Sequence, residues 1–147
     1  MPTDPLGSRR ESRERALSLL YEADAKGEAP AVILAALPVP PDEFTASLVG
    51  GVGEHQPELD GLIRRFSKGW SLERMPVVDR ALLRIALFEL GHLPAVPTAV
   101  VISEAVDLAK RYSTDDSGRF VNGMLAAIAA ELRPTDGTRP EVARPGA

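Results

Sequence analysis

The feature that most constrains this chain is the segment 76–90, PVVDRALLRIALFEL, in which only Asp79, Arg80, Arg84 and Glu89 break an otherwise apolar run. At helical spacing, Val78, Leu82, Leu83, Ile85, Ala86, Leu87, Phe88 and Leu90 cover most of the circumference, and a helix apolar on most sides must be enclosed by others. The segment is therefore expected as the central helix of a helical protein, with Pro76 well suited to its first position. Composition agrees. The 44% hydrophobic fraction consists mostly of Ala, Leu and Val with 5% aromatic residues, which favours packed helices over a sheet. A length of 147 residues suffices for one shared core.

Around this helix the pattern is helical nearly throughout, and no segment reads convincingly as a strand. Residues 9–25 carry Ala16, Leu17, Leu20 and Ala23 or Asp24 at helical spacing, with Gly27 as a stop. A short helix is expected over 31–37. Two more, 42–55 and 58–67, are expected to join at Pro57, the second burying Leu59, Leu62, Ile63 and Phe66. Trp70, Ser71 and Leu72 read as a turn. Beyond the central helix, 98–111 is expected to bury Ile102, Ala105, Val106 and Ala109, and 116–132 to bury Val121, Met124, Leu125, Ile128 and Leu132. The expected fold is all-α, with two small helical subdomains packed together and about seven helices, 9–69 and 70–133. Segments 1–8 and 134–147, rich in Pro and Gly, are expected as flexible tails.

Several function classes fall away. With no cysteine there is no disulfide, thiolate metal site or cysteine nucleophile, which suits a reducing compartment. The start has no apolar signal core, and no uncharged run approaches the ~18 to 20 residues of a membrane span, so a cytoplasmic protein without membrane association is expected. His55 and His92 lie far apart in sequence beside turns, without a metal-ligand spacing, and read as solvated turn histidines. Gly50, Gly51 and Gly53 lack the strand and lysine of a phosphate loop and read as close helix packing. No carboxylates pair in an apolar setting as an acid and base would. The expectation is a protein that is not an enzyme, with no metal and no cofactor.

Two clusters rise above this background. Four arginines occur within residues 9–15, and on a helix Arg9, Arg10 and Arg13 share a face continuing the Leu17 and Leu20 stripe beyond the packed core. Guanidinium groups there suit phosphate or base contacts, whereas a plain solvated helix end with Glu–Arg pairs fits the same spacing. At the start of the last helix stand Asp115, Asp116, Ser117, Gly118, Arg119 and Phe120. Phe120 lies about 100° off the buried stripe, on the side of Asp116, where it could stack on a base or close the edge of the core. Asp115 or Asp116 could serve as the helix cap.

Arg9-Arg10 through Ala16-Leu17 and Tyr21, then Asp79-Arg80-Ala81-Leu82-Leu83-Arg84-Ile85-Ala86-Leu87-Phe88-Glu89-Leu90, then Val96-Pro97 with Ile102-x-Glu104-Ala105-Val106-x-Leu108-Ala109-Lys110, then Phe120-Val121-Asn122-Gly123, together resemble the NusB family of bacterial transcription antitermination factors. The resemblance spans about residues 9–132. It implies two three-helix subdomains, no catalytic activity, and joint binding with ribosomal protein NusE to the boxA element of nascent ribosomal RNA, within a complex that helps RNA polymerase resist termination. It implies RNA contacts at Arg9, Arg10, Arg13, Asp116, Arg119 and Phe120. It implies NusE contacts at Tyr21 and Asp79, which physical chemistry alone reads as a core-edge tyrosine and a first-turn carboxylate. Some members form homodimers that cover the RNA face. Glu11 interrupts the arginine run, and Gly118 stands where a polar or basic residue is frequent, so RNA binding without the partner is expected to be weak. The alternatives are an RNA-binding module like the N-terminal domain of ribosomal RNA cytosine-5 methyltransferases, and a bundle that binds only proteins. The methyltransferase's catalytic domain and cysteines have no counterpart here.

Overall fold

The computed structural model describes residues 5–68 and 71–134, with backbone alone for 5–8. Six α-helices result: α1 Pro5–Lys26, α2 Pro30–Ala35, α3 Glu43–Phe66, α4 Val77–His92, α5 Thr98–Tyr112 and α6 Asp115–Leu132, with a 3-10 turn at Leu72–Arg74 between α3 and α4. No strand occurs among the described residues, and no helix there is long and apolar enough to cross a membrane. Segments 1–4 and 135–147, read as tail, and residue 70, read as turn, lie outside the described residues.

Helix α4 is the hub. It packs on α1, α3, α5 and α6, and ten of its sixteen residues are buried, so its wide apolar surface is fully used. The buried apolar residues form one continuous cluster linking the helices before α4 to those after it. Close approach of α3 to α4 depends on Gly51, where a Cβ would stand 2.2 Å from Cζ of Phe88. Gly53 lies similarly under Pro30, with 3.1 Å from a hypothetical Cβ to the Pro30 Cβ. The glycine run is thus a packing device.

The helix ends follow local chemistry. Helix α1 stops where Gly27 takes φ 64°, with the Glu28 amide donating to the Ala23 carbonyl at 3.0 Å. Its other end differs from expectation: the helix begins at Pro5 rather than at residue 9. Asp42 caps α3, accepting from the Thr45 amide at 3.0 Å. Thr114, rather than Asp115 or Asp116, caps α6 through a 2.9 Å bond from the Ser117 amide. The guanidinium of Arg133 donates to the carbonyls of Glu89, Leu90, Leu93 and Val96, closing the turn between α4 and α5.

Two packing expectations are corrected. The chain does not break at Pro57; α3 is a single helix of 24 residues. Leu48, Val49 and Val52 before the proline and Leu59 and Ile63 after it are all at most 1% exposed, so one buried face holds the axis through the missing hydrogen bond. On α5 the buried face is Val101, Ala105, Leu108 and Ala109, while Ile102 and Val106 are only half-buried at its edge. The helix meets both α4 and α6, which turns its buried face by about one residue.

Candidate nucleic-acid interface

The three arginines at the start of α1 have three different environments. Arg9 is half-buried, its guanidinium 4.5 Å from the ring centroid of Phe44 on α3. Arg10 reaches across to α5, donating from Nε and Nη2 to the two oxygens of Glu104 at 2.9 Å each, and from Nη2 to Asp107 at 2.8 Å. Its side chain stays 31% exposed. Hydrogen bonding to Glu104 first, then to Asp107, pushes Arg10 still further into its charged form. Glu104 also lies 4.0 Å from Nη1 of Arg13, so it stands between two guanidinium groups while Asp107 adds a second carboxylate to Arg10.

Arg13 does not share that exposed face, which corrects the reading of the three as one outward stripe. It is 2% exposed and forks onto Glu89 of α4, Nε to Oε2 at 2.9 Å and Nη2 to Oε1 at 2.6 Å, with Glu89 itself 1% exposed. The same spacing that puts Arg13 one turn before Leu17 carries it into the core, where the one matching carboxylate of α4 meets it. In this arrangement Arg13 cannot touch an external phosphate. It anchors α1 to α4 beside Arg10.

Helix α5 extends the interface. Arg111 pairs with Glu14 at 2.6 Å, and the Tyr112 hydroxyl donates to the same carboxylate at 3.1 Å, so α1 and α5 run in parallel, linked at successive turns. At the next corner Gly118 opens a place for a neighbour, since a Cβ there would stand 2.8 Å from Cγ of Lys110. Lys110 is exposed and lies along the start of α6. Asp116 and Arg119 pair with each other one turn apart, both largely exposed. Phe120 is half-buried and packs against the core cluster, so it combines a packed edge with an accessible one.

The two remaining candidates lie apart in depth. Tyr21 is 51% exposed and lines a groove of about 480 Å³ with Glu14, Leu17, Ser18, Val78 and Tyr112. Asp79 is 2% exposed, and its Oδ2 accepts from the Ser117 hydroxyl at 2.9 Å, while Oδ1 has no hydrogen-bond partner among the described residues. Its side chain thus ties the start of α4 to the start of α6 rather than standing on the surface, where the resemblance implies a NusE contact. Sequence reasoning passed over Phe44, Glu89, Glu104, Asp107 and Lys110. Glu89 carried a signal, being the one acidic residue deep within the apolar run of α4. Phe44, Glu104 and Asp107 are distant in sequence from the arginines they meet, and Lys110 meets Gly118 across the turn between α5 and α6.

The histidine reading also changes. His55 of α3 and His92 of α4 are not separate solvated residues; their rings stack with centroids 4.0 Å apart, and each faces Glu58.

The family model described as NusB family matches residues 10–130. The chain is 47% identical over 135 residues to the transcription antitermination protein NusB of Kineococcus radiotolerans, covering 88% of this chain and 98% of that protein. It is 49% identical over 137 residues to that of Beutenbergia cavernae, covering 84% and 90%. Among solved structures, NusB of T. maritima superposes with a TM-score of 0.76 at 34% identity, covering 89% of this chain and 94% of that one. A crystal structure of the antitermination factors NusB and NusE in complex with dsRNA superposes at 0.71 and 29% identity, covering 84% and 96%.

Proposed function

The chain belongs to the NusB family of transcription antitermination proteins, and from that premise we propose that it acts without catalysis, joining NusE on the boxA element of nascent ribosomal RNA and helping RNA polymerase through terminators in the cytoplasm. The observation that carries the reading is the likeness to a structure of NusB and NusE in complex with dsRNA, which extends over 84% of this chain.

On this reading Arg9 and Arg10 contact phosphate or base directly, and Arg13 contributes by holding the α1 backbone that presents them. RNA exchanges one anion for another at Arg10, taking the guanidinium from Glu104 and Asp107. This exchange supports weak binding by the chain alone, because carboxylates must be displaced before Arg10 engages a phosphate. At α6 the exposed Asp116–Arg119 pair and the accessible edge of Phe120 form the second contact, with Lys110 adding a cation beside them. NusE occupies the groove at Tyr21, Val78 and Tyr112, and Asp79 supports its floor through Ser117. The net charge of −4 leaves most of the surface suited to a basic protein partner.

The test is a fluorescence anisotropy titration of labelled boxA RNA with this protein, with and without NusE, at two salt concentrations, against a scrambled RNA. NusE-enhanced, sequence-selective binding is the expected result. Equal affinity for both RNAs, or indifference to NusE, would overturn it, and absence of RNA binding in every condition would leave a protein-interaction bundle or a homodimer with a covered RNA face.

A further inference from the structure

Away from the arginines, the last turn of α4 faces the middle of α3 through three side chains that share one geometry. His55 Nδ1 lies 3.4 Å from Glu58 Oε1, and His92 Nε2 lies 3.3 Å from both Glu58 oxygens. The three ligand atoms stand within 4.8 Å of one another. These separations exceed the 2.7–3.2 Å range of good N–H···O bonds. They match instead the about 3.3 Å between two ligands that each stand about 2.0–2.1 Å from one tetrahedral ion.

The frame is rigid where it needs to be. His55 and Glu58 are three residues apart on one face of α3, and Pro57 between them does not interrupt the helix. His92 enters from the other helix, its ring stacked on His55 and 5.2 Å from the ring of Phe88, which also lies 5.8 Å from His55. Phe88 is fixed by its seat over Gly51. Both imidazoles therefore rest against an apolar base while their nitrogens and the carboxylate stay reachable: the histidine side chains are 30% exposed and Glu58 is 51% exposed.

We propose that His55, Glu58 and His92 form a binding site for a first-row divalent cation of the zinc class, clamping α3 to the end of α4. Two imidazole nitrogens and one carboxylate oxygen suit Zn²⁺, whereas Mg²⁺ prefers an all-oxygen set. Three protein ligands leave a fourth position for water, so the site is open. The ion takes a nitrogen lone pair from each imidazole and an oxygen of Glu58, whose charge it offsets. A metal that binds only the folded arrangement also raises its stability by mass action.

The test uses the full chain without an affinity tag, after chelator treatment, titrated calorimetrically with ZnCl2 and separately with MgCl2. Thermal melts and the visible spectrum of added Co²⁺ are recorded alongside. Saturable one-to-one Zn²⁺ binding is expected, with a raised Tm, intense tetrahedral Co²⁺ bands and no response to Mg²⁺. His92→Gln and Glu58→Gln should each weaken binding by at least about tenfold while circular dichroism stays helical. Glu58 is exposed, so its variant keeps the test valid if His92→Gln loosens the fold. Absence of saturable binding, or binding unchanged in both variants, would overturn the site.

Discussion

Adjacent turns of one helix put two arginines to opposite uses, and burial decides which. Arg10 remains partly in water and shares its charge between Glu104 and Asp107, whereas Arg13 is enclosed with Glu89. Removing one partner of an enclosed pair strands the other, so Arg13→Ala should cost about 3–5 kcal/mol in denaturant unfolding, far more than the same change at Arg10. Arg10 sits under competition from its own carboxylates. Asp107→Asn keeps the shape of the exposed partner while removing its charge, and should tighten RNA binding by the isolated chain a few-fold at low salt. An anisotropy titration of the two proteins decides it; unchanged or weaker binding would show that Asp107 does not compete with phosphate.

At the scale of elements, α3 has two features that can be tested separately. Pro57 is exposed inside a continuous helix, so Pro57→Ala restores a backbone donor and should stabilise the protein by about 1–2 kcal/mol, after the larger freedom of the unfolded chain is subtracted. A lower Tm would contradict that. At its start, Asp42 ties α3 to α1. Burial raises its pKa, but hydrogen bonds from the hydroxyls of Thr45 and Ser12 and the Thr45 amide outweigh this and hold it at about 2, below the ordinary 3.8. A depressed folded-state pKa means the stabilisation is fully present above the unfolded value and is lost as pH falls from about 4 toward 2. Asp42→Asn should keep a cap yet flatten stability across that window, as acid titration followed by circular dichroism would record.

The same elements show what periodicity can and cannot reveal. The central position of α4, the Gly27 stop and the α6 stripe were legible because each depends on residues within a few positions of one another. The continuity of α3 was not, because local chemistry at Pro57 opposes it and only burial on both sides overrides that preference. Arg13 was misplaced for a related reason: its charge suggested solvent while its register with Leu17 pointed inward, and Glu89, which settles the matter, lies 76 positions away. His55 and His92 are likewise brought together only by the α3–α4 packing that Gly51 permits.

For the molecule as a whole, the decisive quantity is how few cations are available to RNA. Lys and Arg number 17 against 21 acidic residues, and of the candidate interface's Arg9, Arg10, Lys110 and Arg119, Arg10 and Arg119 are already paired with carboxylates. Each phosphate neutralised on single-stranded RNA contributes about 0.7 to the slope of log K against log salt, so the slope counts contacts independently of affinity. Arg10→Ala should reduce its magnitude by about 0.7. Arg13 is the informative comparison. Replacing the enclosed pair together, Arg13→Met with Glu89→Leu, removes both charges without stranding either and preserves the volume that α1 and α4 share. If Arg13 acts only by fixing α1, this double variant keeps the wild-type salt slope in the presence of NusE. If its slope falls as that of Arg10→Ala does, the buried pair must open on binding and Arg13 must reach the RNA itself. The salt dependence thus separates an arginine that contacts phosphate from one that positions its neighbour.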